Sequence, residues 1–261
     1  MFFIPLYFLL GAFAGTISGL LGIGGGVIVV PGLVFLFKWQ HFSPLYLMHL
    51  AIATSLAVII CTALRGLLVH IQQGFDDWSI FKKWLPAIIL GTMTGAVIAH
   101  FLSTHILSIC FSVFLLFISV RMFFIYTPKS SRTLPRSWIM NLIGFIIGAK
   151  SGLLGVGGGS ISIPVLVYFN VPMRRAGIIS LGISLTIAWV GTISMLLLSW
   201  HSHLHLTGTF GYVNGWAWLW VSLGSVLFAP VGIYLSKKVS THWLKRIFGV
   251  VLFIIAIQLL L

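Results

Sequence analysis

Charge is what this sequence lacks. Of its 261 residues only Asp76 and Asp77 are acidic, and all charged residues together make 7% of the chain, where a soluble domain carries roughly 25%. A surface so poor in charge does not belong in water; with 59% hydrophobic residues and a mean hydropathy of +1.15, lipid is the solvent. The two acids stand side by side in a polar loop with no apolar segment to carry them into a membrane, so no carboxylate proton relay is available. If protons couple to the function, His49, His70 or His100 must titrate, or the ligand must carry the proton. Cysteine is scarce too. Cys61 and Cys110 lie inside apolar runs, where a thiol behaves as a small hydrophobe rather than a disulfide partner. Long polar stretches are missing, which leaves no room for a soluble domain. Missing as well is the period-two alternation of a membrane β-barrel. The first apolar run carries neither a basic leader nor an A-x-A site and is read as mature structure.

What is present is a series of apolar runs of membrane-crossing length. In lipid every backbone polar group must be satisfied within its own segment, so such runs become helices. The expected fold is an all-α polytopic membrane protein, residues 1–261 forming a single transmembrane domain.

The chain repeats itself. Ser18–Pro31, SGLLGIGGGVIVVP, returns as Ser151–Pro164, SGLLGVGGGSISIP, identical at ten of fourteen positions. Further on, Gly95 with Ser103-Thr104-His105 returns as Gly232 with Ser240-Thr241-His242. The repeats span about 1–126 and 138–261, joined by the polar, basic stretch 127–137. Each reads as five hydrophobic elements: about 2–21, 27–37, 45–70, 84–102 and 105–126, then 138–155, 160–170, 176–200, 216–236 and 242–261. The second element of each is too short to cross a bilayer, so the first two form a hairpin broken at the glycines, re-entrant or spanning.

Basic residues set the orientation. The loop holding Ser103–His105 has no Lys or Arg, whereas its mate holds Lys237, Lys238, Lys245 and Arg246; Lys82 and Lys83 face a mate, 201–215, with none; Arg174 and Arg175 face one with only Lys38. Matched loops therefore lie on opposite sides; if each hairpin returns to its starting side, both termini lie outside, the linker lies inside, and all basic residues but Lys38 and Lys150 fall at or near the cytoplasmic side. Scattered over short loops, these cations mark topology and not a nucleic-acid surface. An inverted repeat with discontinuous helices near the midplane is the layout of secondary transporters.

The candidate site follows. Gly22, Gly24, Gly25 and Gly26, and their mates Gly155, Gly157, Gly158 and Gly159, open short helices whose free N–H groups and positive dipole ends suit an anion; the competing reading is close helix packing through small residues. Ser18 and Ser151 begin the motifs. Lys150 stands where the first motif has Ile17, an intramembrane cation breaking the symmetry; it either neutralises a bound oxyanion or snorkels to an interface. Arg65 is read as snorkelling. Hydroxyls at Thr54, Ser55, Ser180 and Ser184 lie on the third elements, Ser55 and Ser184 at symmetric positions. They either donate to an anion or bond to their own helix. His201, His203 and His205 have metal-ligand spacing but no Cys or acid nearby, and no metal site is assigned to them. No other cofactor is expected. Tryptophans including Trp78, Trp84, Trp138, Trp216, Trp218 and Trp243 fall near element ends, as an interfacial belt requires. Neither half supplies a nucleophile, base and orienting group, so an enzyme is not expected. An anion channel using the same helix ends stays open.

With the motif G-x-x-S-G-L-L-G-[IV]-G-G-G…P at Gly15–Pro31 and again at Gly148–Pro164, the chain resembles the TauE/SafE family of sulfite exporters. The resemblance covers both halves. It implies movement of a small sulfur-containing anion, such as sulfite, sulfoacetate or thiosulfate, across the bacterial cytoplasmic membrane. It carries over the two glycine motifs only. Sulfur as the anion's central atom comes from the resemblance alone; the expected partners are that anion and membrane lipid, with no nucleic acid and no oligomeric state assigned.

Overall fold

The computed structural model describes residues 3–21, 25–72, 78–123, 135–200, 208–236 and 241–260. They form α1 (Ile4–Leu21), α2 (Gly26–Trp39), α3 (Leu47–Gln72), α4 (Ser79–Phe101), α5 (Thr104–Phe123), α6 (Ser137–Leu154), α7 (Gly159–Tyr168) and α8 (Met173–Ser199). A minimal antiparallel hairpin of β1 (Thr209–Phe210) and β2 (Val213–Asn214) precedes α9 (Gly215–Ser236) and α10 (Thr241–Leu260). This is an all-α polytopic membrane protein. Six of these helices, α3 to α6, α8 and α9, are long and apolar enough to cross a membrane. By contrast α7, with 10 residues, is about 15 Å long, half a hydrocarbon core.

The outer surface is as apolar as the core, as expected where lipid replaces water. Leu9, Phe101, Phe117 and Leu197 are all exposed. Burial is therefore set by packing. Its centre is α3, whose span is 78% buried against 33–44% for the other five.

Glycine brings the helices together. Gly11 and Gly15 of α1 lie on the backbone of Val221 and Ser225 in α9, and Gly232 lies on that of Thr16. The same pattern recurs between α6 and α4, where Gly148 lies on Ile88 and Gly95 on Ala149. No side chain fits at these crossings, which is how membrane helices associate when apolar surface alone gives no preference for a partner helix over lipid.

These contacts also fix helix direction. Gly66 meets Leu181 and Gly191 meets Leu56, so α3 and α8 are antiparallel. Gly182 meets Phe81 while Gly191 meets Thr92, so α4 runs with α8; Gly91 meets Phe145 while Gly95 meets Ala149, so α6 runs with α4. Thr54 bonds Asn214 and Ala57 bonds Trp218, which sets α9 alongside α3. Gly11 on Val221 and Gly15 on Ser225 set α1 alongside α9. Hence α1, α3 and α9 point one way and their repeat mates α6, α8 and α4 the other. The repeat is inverted.

The structure departs from the sequence reading in three places. Helix α4 starts at Ser79 and runs through Pro86, so Lys82 and Lys83 lie on helix and not in a loop; only the Lys82 carbonyl loses its intrahelical donor to that proline. The 201–215 stretch, read as a plain loop, ends in the β1–β2 hairpin, with Gly211 at φ 54° in its turn. Trp84 is fully buried, against Gly144, and is not an interfacial anchor.

Candidate functional site

The second glycine run is described throughout, and its geometry follows from its residues. Gly155 takes the left-handed conformation, φ 67°, and ends α6, with the Val156 N–H returning to the Ser151 carbonyl at 3.2 Å. A side chain at Gly155 is excluded twice, by that φ and by Ile52, whose Cα would lie 2.8 Å from a Cβ. Gly158 caps α7, its carbonyl accepting from the Ser162 N–H at 2.9 Å. The first turn of α7 presents N–H groups that have no acceptor within the helix.

The two glycine runs meet. A Cβ on Gly26, the first residue of α2, would lie 2.8 Å from the Gly155 carbonyl oxygen and 3.0 Å from the Val156 Cα. The start of α2 thus abuts the turn between α6 and α7 of the opposite repeat, backbone to backbone. Ser55 of α3 donates to the Gly155 carbonyl at 2.8 Å, and the Ser184 hydroxyl of α8 lies 3.1 Å from where a Cβ of Gly157 would stand. The symmetric serines therefore flank the same turn. Ser151 is fully buried, its hydroxyl without a partner among the described residues; Ser18 is half-buried. Gly22 and Gly24 lie outside the described residues, while Gly25 caps α2.

Lys150 points from α6 to α7 and α5. Its Nζ donates to the Ser160 Oγ at 3.2 Å and stands 4.2 Å from the centre of the Phe114 ring, a cation–π contact. Arg121 of α5 reaches the same serine, its guanidinium donating to the Ser160 carbonyl at 2.9 Å. That carbonyl is free because its helical partner four residues on is Pro164, which has no N–H. Both acids, Asp76 and Asp77, lie outside the described residues, so no carboxylate among those described faces either cation.

The mirrored place is uncharged. Where the second repeat has Lys150 and Ser160 the first has Ile17 and Val27, and in the register that matches Ser103 to Ser240, Arg121 corresponds to Gln258. Sequence reasoning overlooked Arg121, Phe114 and Ser160. The exchange of Val27 for Ser160 inside the repeated motif was the available signal; the reach of Arg121 across to α7 had none.

A second polar group closes one end of the bundle. Tyr212, on the β1–β2 turn, is buried, its hydroxyl 3.3 Å from His100 Nδ1, its ring 5.3 Å from His49 and 6.1 Å from Tyr46. Beneath it the Asn214 N–H donates to Thr54 Oγ1 at 3.0 Å, and Asn214 Oδ1 caps α9 at the Ala217 N–H, 2.9 Å. At the opposite end, a cavity of about 340 Å³ is lined by Ser79, Lys83, Ser137, Asn170 and Arg175. Arg65 is exposed on α3. The histidines 201, 203 and 205 lie outside the described residues, among which no group of three metal-ligating side chains occurs.

Comparison with known proteins agrees over the full length. The family described as sulfite exporter TauE/SafE matches residues 7–259. A "Probable membrane transporter protein" of Haemophilus influenzae is 27% identical over 260 residues, 99% of this chain and 98% of its own. "Probable membrane transporter protein YunE" of Bacillus subtilis is 27% identical, covering 96% of this chain and 95% of its own. A "Probable membrane transporter protein" of Methanocaldococcus jannaschii is 26% identical over 99% of this chain and 96% of its own. No solved structure matches.

Proposed function

Because the chain belongs to the sulfite exporter TauE/SafE family and is a multi-pass membrane transporter, we propose that it carries a small sulfur-containing anion, such as sulfite, sulfoacetate or thiosulfate, across the bacterial cytoplasmic membrane by alternating access. One observation carries the reading. The first turn of α2 meets the turn between α6 and α7 of the inverted repeat at Gly26, Gly155 and Val156, with Lys150 about one turn back along α6 and no carboxylate among the described residues. Such a place has the free N–H groups and dipole ends of α2 and α7 and a cation close by, with no carboxylate among the described residues to favour a cation instead. The proposed ligand contacts are the N–H groups of the glycines of both runs other than Gly155, whose N–H returns to the Ser151 carbonyl, with Ser18, Ser55, Ser151, Ser184 and Lys150. Access alternates by movement at the Gly26–Gly155 contact between bodies that each combine helices of both repeats, since glycine contacts seal α1 to α9 and α6 to α4.

Purified protein in liposomes is expected to take up radiolabelled sulfite or a related sulfur anion with saturable kinetics and exchange across the membrane. Flux at the level of empty liposomes over a panel of sulfur anions would refute the proposal. Unitary currents in a planar bilayer would replace the transporter with a channel.

A further inference from the structure

Lys150 and Arg121 come from different helices and opposite repeats, yet both end on Ser160, one at its hydroxyl and one at its carbonyl. Arg121 is exposed in the last turn of α5, so the pair sits at the edge of the packed helices. Two like charges sharing one residue repel. Nothing among the described residues offsets this, since none is acidic. Each cation is held by a neutral group: a serine hydroxyl and the π face of Phe114 for Lys150, the proline-freed carbonyl for Arg121. These contacts position a cation without cancelling its charge. Arg121 spends one terminal nitrogen on Ser160, and its fork has further N–H groups to offer. The symmetry-related place, Ile17, Val27 and Gln258, holds no charge at all.

We propose that Lys150 and Arg121 together form the charge-selecting part of a single, off-axis anion site at the start of α7, and that they make the protein prefer an oxyanion carrying two negative charges over one of the same shape carrying one. The inference rests on the transporter reading above and deepens it: thiosulfate and sulfoacetate are dianions, and sulfite would bind in its fully deprotonated form. Arg121 is a specificity-determining residue and Lys150 the cation common to all ligands. The opposing charges of a dianion neutralise the pair; a monoanion leaves one cation uncompensated.

The test uses the full-length protein in phosphatidylcholine nanodiscs, with sulfate and methanesulfonate as probes of similar tetrahedral shape and different charge, binding being read by tryptophan fluorescence. Sulfate is expected to bind about 10-fold tighter, the scale of one charge-assisted contact. Arg121→Gln should bring the two affinities within about threefold of each other while hardly changing methanesulfonate, Arg121→Lys should keep most of the preference, and Lys150→Gln should weaken both. Equal affinities in the wild type overturn the inference, as does an unchanged ratio in Arg121→Gln. If Arg121→Gln does not fold, a folded Arg121→Lys that has lost the preference overturns it equally. Sulfate binding that disappears when phosphatidylglycerol is added assigns the pair to a lipid headgroup and also overturns it. In each such case flux of sulfite in wild-type liposomes leaves the transporter reading standing, whereas absence of flux removes that reading first.

Discussion

At the scale of single residues, the decisive contact is the one between glycines of different repeats. Gly26 and Gly25 are neighbours in the same motif, yet a Cβ at Gly26 would lie 2.8 Å from the Gly155 carbonyl oxygen, whereas at Gly25 the nearest atom is a Val29 methyl at 4.0 Å. Backbone cannot step aside as a side-chain end can. Gly26→Ala is therefore expected to push the start of α2 away from the α6–α7 turn and abolish flux, with a loss of about 1–3 kcal/mol typical of overpacking. Gly25→Ala should leave transport near wild type and, within a helix-start position, cost nothing measurable. Flux assays on the two folded variants, with thermal unfolding in detergent, decide it; equal behaviour would mean that the contact is incidental. Both glycines are legible in the sequence as a motif. Which of them touches the other repeat is not, because that depends on how α3 and α8 hold the hairpins, through Ile52 and Ser55 on one side and Ile183 and Ser184 on the other.

At the scale of elements, α3 and α9 are tied at one end by the short hairpin. The Asn214 N–H finds its acceptor in Thr54 of α3, and the Asn214 side chain caps α9, so one residue fixes the start of a helix to the centre of the bundle. Thr54→Val keeps the shape and removes the acceptor, leaving a buried N–H unpaired at a cost of about 1–3 kcal/mol. A lowered midpoint of thermal unfolding in detergent, with Thr94→Val as an exposed control whose hydroxyl bonds only to its own helix at Leu90, is the expected outcome; equal midpoints would make the tie irrelevant. The hairpin was illegible because its strands have two residues each and are held by tertiary contacts of Tyr212 and Asn214 rather than by any pattern of their own. The helices were legible for the opposite reason. Lipid forces long apolar runs into helices, and glycine turns and polar loops mark their ends, so the reading erred chiefly at α4, which begins at Ser79 rather than at about 84 and takes Lys82 and Lys83 into the helix.

At the scale of the whole molecule, inversion is the property from which the rest follows. Two copies of one helix pattern, related so that mates run in opposite directions, pack α1 on α9 as α6 packs on α4, with α2 against α3, α7 against α8 and the two glycine runs in contact. The fold is nearly symmetric while the charge is not: Lys150 and Arg121 have apolar or neutral mates, so the scaffold can present similar paths to both faces while one site serves each. The symmetric part was readable as repeated letters and as basic residues that switch loops; the asymmetric part was half readable, as Lys150 against Ile17, and half hidden in the reach of Arg121 across from α5. Sidedness can be tested directly. Leu45, just before α3, and Met173, the first residue of α8, are both exposed and uncharged, so cysteines there leave the topology signal intact. In a background with Cys61 and Cys110 replaced by alanine, an impermeant maleimide applied to intact spheroplasts is expected to label Leu45→Cys and not Met173→Cys, with the reverse in inside-out vesicles. Labelling of both from one side contradicts the inverted arrangement. Labelling of Met173→Cys alone in spheroplasts keeps the inversion and turns the molecule over, which would place the cavity lined by Lys83 and Arg175 outside and overturn the assignment of the basic end to the cytoplasm.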